Sequence, residues 1–310
     1  MSFVRPDILR PPSEASSYFL PFTKGCANNS CTFCHFYGCH LQIRDLKEIK
    51  NEIDALAQFI KHGLQTSGML YTVYAIASEW DGRRVFIQDG DALVYPFEQL
   101  KEGLRYLNQK FPNLERVASY ATTQDILRLS LSELKELKEL KMGIIYLGVE
   151  TGDENILQQI GKGVTFSQIV EAGRRIKEAG ILSSVTVLLG LGGQTGSREH
   201  ALATARILTD MDPDYVGALT LTLIPGTPMY QDWKSGKFIP ITPMQTLQEL
   251  KILVENAVYS RCFFSSMHAS NYLSVRGILP DQRQSLLAQI ERVIQSRNPA
   301  LLRPEYMRGL

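Results

Sequence analysis

From residue 17 onward, short β-branched apolar runs alternate with longer amphipathic stretches. The first run predicts a strand over residues 18–23. Leu46, Ile49, Ile53, Leu56 and Ile60 then recur at helical spacing and predict a helix over 46–60. Further strands are predicted over 84–88, 116–121, 143–149, 183–189 and 215–223. Helices are predicted between them over 95–111, 130–140, 165–179 and 198–211. Pro96 suits a first helical turn, Ser130 with Glu133 reads as a capping box, and Gly180 stops the helix before it. Ile224-Pro-Gly-Thr-Pro228 breaks the sixth strand. Beyond it, 242–258 and 281–296 predict two helices around an irregular stretch.

Six strand–helix repeats call for a parallel sheet. Strands apolar on both faces fit helices on one side and a filled lumen on the other. An open doubly wound sheet and a barrel both satisfy this pattern. With 310 residues the chain holds one large α/β domain or two small ones, and no linker, repeat or low-complexity segment splits the core. The 33 basic residues balance 32 acidic ones, which argues against a dedicated nucleic-acid surface. No apolar run has signal-peptide length or approaches the roughly 20 residues of a membrane span, so no membrane partner is expected. Five cysteines, three of them clustered, suit a reducing, cytoplasmic setting better than a disulfide framework.

The clustered trio is Cys26, Cys31 and Cys34, directly after the first strand and Gly25. Thiolates packed so closely cannot all pair as disulfides, and the run is too polar for a core segment. Three soft ligands on one loop are what an iron–sulfur cluster needs. Three cysteines leave one iron of a cubane without a protein ligand, a place to bind a small molecule. A structural zinc site with His35 or Cys39 as fourth ligand is the alternative. Functional residues of parallel α/β folds gather at the carboxyl ends of strands. There the sequence reads Gln88-Asp89-Gly90-Asp91, Gly148-Val149-Glu150-Thr151, Leu189-Gly190-Leu191-Gly192-Gly193 and Leu223-Ile224-Pro225-Gly226. Taken singly, these are also an ordinary turn, an exposed acid and glycine-rich loops.

Taken together, the cysteine loop and the four strand ends resemble the radical S-adenosylmethionine (SAM) superfamily. The resemblance runs over residues 18–233, about seven tenths of the chain. The family pattern is Cys-x3-Cys-x-aromatic-Cys; here it reads Cys-x4-Cys-x-Phe-Cys, one residue longer. The texture is most similar to short members near oxygen-independent coproporphyrinogen oxidase and the radical domain of the elongator catalytic subunit. The resemblance implies a partial (β/α)6 TIM-type barrel over 17–240. An N-terminal extension (1–16) precedes it, and a C-terminal helical extension (241–310) covers the barrel mouth.

The resemblance also implies a [4Fe–4S] cluster held by Cys26, Cys31 and Cys34, with SAM on the open iron. Asp89, Gly90 and Asp91 would then lie at the SAM amino group and Glu150 at the ribose. Gly190, Gly192 and Pro225 would line the adenine, with Phe33 packing on it. The implied oxidoreductase chemistry is reductive cleavage of SAM to a 5′-deoxyadenosyl radical that takes hydrogen from a small-molecule substrate. A flavodoxin- or ferredoxin-type protein would supply the electron. An iron–sulfur electron-transfer or sensor protein that never cleaves SAM is the competing reading.

Four more residues are candidates. Cys39 is a hydrogen donor, a quencher or a bystander, and Tyr37 is a substrate or SAM contact. The stretch Phe263-Phe-Ser-Ser-Met-His-Ala-Ser-Asn-Tyr272, dense in polar groups, is expected to close the mouth with His268 and Asn271 facing the substrate; a loop that satisfies its own polar groups is the alternative. Lone Cys262 reads as a buried small hydrophobe. No further cysteine group for an auxiliary cluster is present, nor any cobalamin domain or appended transferase or β-domain. These gaps leave hydrogen abstraction from a small metabolite as the expected reaction class.

Overall fold

A mostly parallel sheet flanked by helices organises the computed structural model, which describes residues 3–8, 10–35 and 38–309. The chain divides into two units, 1–29 with 37–146 and 178–181, and 30–36 with 147–177 and 182–310.

In the first unit, β1 (Tyr18–Pro21) leads into the antiparallel pair β2 (Thr23–Lys24) and β3 (Gln42–Ile43), which closes the base of the cysteine-bearing loop. Then follow α1 (Leu46–His62), α2 (Tyr71–Ala77), β4 (Arg84–Gln88), α3 (Phe97–Lys110), β5 (Arg116–Ala121), α4 (Thr123–Arg128), α5 (Leu131–Glu139) and the start of β6 (Met142–Glu150). The strand order is β1–β4–β5–β6. Parallel register sets Phe19 beside Phe86 and Phe86 beside Ala118. These three, with Ile144 and Tyr146, form one buried face, while Tyr18 on the opposite face packs on Trp80. Both faces are therefore filled, which explains strands that are apolar throughout rather than alternating. The expected capping box at Ser130 and Glu133 is present, an arrangement typically worth ~1 kcal/mol.

Residues ahead of β1 lie against its aromatic face. The Arg10 guanidinium sits 4.3 Å from the Phe19 ring centre. Glu14 is fully buried and accepts hydrogen bonds from Tyr146, Ser17 and Arg116, partners without which a buried carboxylate would be costly.

The second unit carries the end of β6, then α6 (Glu154–Gln159), α7 (Phe166–Glu178), β7 (Leu182–Leu189), α8 (Gly193–Met211), β8 (Tyr215–Thr220), α9 (Pro228–Lys234) and α10 (Pro243–Asn256). The last elements are β9 (Cys262–Ser265), β10 (Arg276–Leu279) and α11 (Arg283–Ser296). The strand order is β6–β7–β8–β9–β10, with β9 parallel to β8 and β10 antiparallel to β9. The stretch between the last two helices, expected to be irregular, thus supplies two strands. Cys262 and Phe264 are buried and Phe263 is exposed, an alternation of strand period too short to stand out in the sequence. Helix α8 begins five residues earlier than expected, straight from the glycine run. A Cβ on Gly192 would stand 2.7 Å from the Gly196 carbonyl oxygen and 2.8 Å from the His200 Cβ, so the helix's own first turn requires glycine there. Among the described residues, no helix is long and apolar enough to cross a membrane.

Candidate functional site

The first unit presents the end of β1 and the loop after β4. Gly25 turns the chain at φ +92°, a left-handed conformation that favours glycine, and Cys26 follows it. The Gly25 amide donates to Asp89 Oδ2 at 3.0 Å, and the Thr23 hydroxyl links to the backbone of both Asp89 and Asp91. Asp89 is 3% exposed, and its Oδ1 is buried without a hydrogen-bond partner. Burial pushes its pKa up to about 6 against the pull of the Gly25 amide. Asp91 is seated deeper, fully buried; burial first, and then the neighbouring Asp125 carboxyl, raise its pKa well above the usual range. Both acids are buried and both keep unused acceptors, Oδ1 of Asp89 and the two carboxylate oxygens of Asp91. Gly90 between them is half-buried. The Cys39 carbonyl accepts from Asn29 Nδ2 at 3.3 Å, and the Cys39 thiol is half-buried.

The second unit carries Cys31, Phe33 and Cys34. The Cys34 amide donates to the Cys31 carbonyl at 3.2 Å, making a turn. The Thr32 amide and carbonyl anchor that turn to Ile160 (2.9 Å) and Met229 (3.0 Å). Phe33 packs on a cluster formed by Ile156, Ile160, Leu188, Leu191 and Met229. Both thiols are half-buried. Burial pushes Cys31 up to about 11, Lys162 pulls it down, and Glu150 and Cys34 push it further up. Among the described residues no disulfide forms, and no three His, Cys, Asp or Glu side chains stand close enough to hold a metal ion. Cys26 belongs to the other unit.

Glu150 ends β6 at φ +65°, a region costly for a residue with a side chain and frequent at functional sites. Its Oε1 accepts from Lys162 Nζ at 2.9 Å, with the two side chains 11% and 15% exposed. Sequence reading missed Lys162, whose one signal is its place between Gly161 and Gly163 just after α6.

A second polar group reading missed lies behind the glycine loop. His200 Nε2 is 3.0 Å from the Leu188 carbonyl, and Nδ1 is 2.9 Å from the Thr151 hydroxyl. A carbonyl only accepts, so Nε2 carries the proton and Nδ1 accepts from Thr151. Burial lowers the His200 pKa to about 4. Because the fold favours the neutral ring, this stability is present above the ordinary value near 6.5 and is lost as pH falls toward 4. We expect urea midpoints measured between pH 7 and pH 4 to report up to about 3 kcal/mol of loss from this ring. His200→Asn should lack that component, and parallel pH profiles for the two proteins would refute it.

The other expected residues are dispersed in role. Gly190 is buried, Gly192 is half-buried, and Pro225 is exposed in the loop after β8. Asn271 is turned inward: its amide donates to the Ala218 and Ser266 carbonyls at 2.7 and 2.9 Å and accepts from the Thr220 hydroxyl at 2.8 Å. It is 2% exposed, so the structure corrects the expectation that it faces a substrate; it pins its loop to β8. His268 is half-buried, with Nδ1 tied to the Ser270 hydroxyl at 2.9 Å. Tyr37 lies outside the described residues.

A family model described as the Radical SAM superfamily matches residues 20–205. The heme chaperone HemW of Bacillus subtilis (strain 168) is 24% identical over 226 residues, which are 72% of this chain and 55% of that protein. Among solved structures, coproporphyrinogen III oxidase (HemN) from Escherichia coli matches with a TM-score of 0.53 at 16% identity, covering 76% of this chain and 50% of that one. The archaeal Methanocaldococcus infernus Elp3 with an N-terminal deletion matches with a TM-score of 0.51 at 16% identity, covering 81% and 60%. The chain thus spans about half the length of such relatives, and these structural likenesses bear on the fold alone: α/β, of the radical SAM TIM type.

Proposed function

The chain belongs to the radical SAM superfamily, enzymes built around a [4Fe–4S] cluster and S-adenosylmethionine, and from that premise we propose that Cys26, Cys31 and Cys34 are its cluster ligands. The donor set fits: three thiols on one loop, with Cys31 and Cys34 fixed by a turn that Ile160 and Met229 anchor. When bound, the cluster supplies the electron that splits SAM and so the means to take hydrogen from an unreactive C–H bond.

The chain's residues bind and orient. The unpartnered Oδ1 of Asp89 is an acceptor awaiting a donor and suits the SAM ammonium, with the Gly90 backbone beside it. Asp91 supports this loop from beneath. Glu150 accepts from ribose hydroxyls, and Lys162 beside it offsets the negative charge that thiolates and the SAM carboxylate gather. Phe33, Gly190, Gly192 and Pro225 line the adenine side, where the apolar cluster beneath Phe33 keeps water out. His268, its Nδ1 held by Ser270, turns Nε2 toward a small-molecule substrate. Asn271 contributes by pinning that loop, Cys39 is proposed as a hydrogen donor, and Tyr37 is proposed as a substrate or SAM contact from its sequence position alone. On this reading the partial barrel spans 17–240, with 1–16 as an N-terminal extension and 241–310 as a C-terminal extension over its mouth. A flavodoxin- or ferredoxin-type donor reduces the protein in the cytoplasm.

The observation that carries this reading is the gathering, in one unit, of Cys31, Phe33 and Cys34 with the Lys162–Glu150 pair whose charges act on Cys31. Anaerobic reconstitution tests it. About four irons per chain should bind, and dithionite with SAM should release 5′-deoxyadenosine. A stable redox-active cluster that leaves SAM intact would favour the electron-transfer or sensor reading. Colourless protein with one zinc would favour a structural metal site.

A further inference from the structure

Glu249 stands on α10, far along the chain from every strand-end motif, yet it is 1% exposed and reaches the glycine loop after β7. Its Oε2 accepts from the Gly190 amide at 2.7 Å, and its Oε1 accepts from the Ser197 hydroxyl, in the first turns of α8, at 2.6 Å. Ile241 crowds Gly190 from the side, 3.1 Å from where a Cβ would stand. His200, also 1% exposed, sits 3.8 Å from Glu249 and ties the Leu188 carbonyl to Thr151, the residue after Glu150. A carboxyl sealed in a core is costly to keep. Apolar residues of the same volume would pack as well, but none would hold the Gly190 amide.

We propose that Glu249, backed by His200, is a positioning residue for the nucleoside half of SAM. The carboxyl fixes the Gly190 amide and the entry of α8, and the imidazole locks the adjoining end of β6, so both walls of the nucleoside site are braced from one buried pair. The C-terminal region thereby shapes the cofactor site itself in addition to covering it. Burial raises the Glu249 pKa to about 7; protonated or not, the carboxyl still accepts from Gly190. The inference rests on the reading that the Gly190 loop lies at the adenine.

The test uses reconstituted protein with its cluster oxidised, so that nothing turns over. Calorimetric titrations with SAM, 5′-deoxyadenosine and methionine are compared, each variant's thermal melt being recorded alongside. Glu249→Ala should weaken SAM and 5′-deoxyadenosine about tenfold while methionine stays within about twofold. Glu249→Gln should recover most of the loss, because its amide accepts from Gly190 and donates to Ser197. Folded Glu249→Ala that binds 5′-deoxyadenosine like the parent overturns the proposal, as does equal weakening of nucleoside and methionine. Should Glu249→Ala fail to fold, Ser197→Ala decides: about threefold weaker nucleoside binding supports the proposal, and unchanged binding refutes it. Parent protein that binds methionine but no nucleoside sinks the adenine assignment along with it, a result distinct from any variant effect.

Discussion

Cys34→Ala should yield a folded protein that retains less than about a hundredth of the parent's affinity for the iron–sulfur cluster and has no measurable SAM cleavage. Removing an outer-shell partner of a metal ligand typically costs 10–100-fold in affinity or activity, so loss of a ligand thiolate must exceed that. The fold should survive because Cys34 is half-buried on a loop, and the turn around it is held by backbone bonds that involve Thr32, Ile160 and Met229. Alanine disturbs none of these. Cys31→Ala should behave alike, apart from easing the burial of a thiol whose pKa stands near 11. Cys262→Ala supplies the contrast. That residue is fully buried in β9, so its loss should lower stability and leave iron content untouched. Iron and sulfide per folded chain, read with the visible spectrum, decide the matter. Full cluster loading in Cys34→Ala would remove the basis of the proposed site.

What the sequence made legible follows from the range of the interactions involved. The parallel strands were readable because burial on both faces leaves continuous apolar runs, as in Val85-Phe86-Ile87, and the Ser130–Glu133 cap because its two members lie three residues apart. Short elements such as β2, β3, α2, α4, α6, α9, β9 and β10 gave too few residues to establish a period. The cysteines were legible from chemistry and spacing alone. Lys162 was not, since nothing local says that a lysine after α6 meets Glu150. Glu249 and His200 were hidden for a stronger reason: on amphipathic helices, an acid and a histidine read as solvated positions, and only the packing of α10 against α8 encloses them. Asn271 misled in the opposite sense. A polar residue in a polar loop suggests a ligand, whereas its three hydrogen bonds reach Ala218, Thr220 and Ser266, just past Gly217 and Ser265 where the β8–β9 pairing ends.

Gly152→Ala should destabilise the second unit by about 3 kcal/mol, near the upper end for overpacking. Gly152 lies two residues past Glu150, where the turn meets α8. A Cβ there would stand 2.1 Å from the Ala203 carbonyl oxygen, 2.6 Å from its carbonyl carbon and 3.0 Å from Ile207 Cγ2. Two of these three are helix backbone, which no rotamer change can move aside, so the turn and α8 must separate by roughly an ångström to reach ordinary contact. Separation also stretches the bond from the Gly152 amide to the Thr204 hydroxyl, now 3.2 Å, worth ~1 kcal/mol. It further draws Thr151 away from His200. The entropy alanine removes from the unfolded chain returns only about 0.4–1 kcal/mol. Gly196→Ala is the matched control, because that residue lies inside α8 with nothing within 4 Å of a would-be Cβ. There the better helix former should raise stability by up to about 1 kcal/mol. Urea midpoints of the two variants should therefore move in opposite directions from the parent. If Gly152→Ala unfolds at the parent's midpoint, the turn that carries Glu150 is not clamped to α8, and the arrangement of the ribose side fails with it.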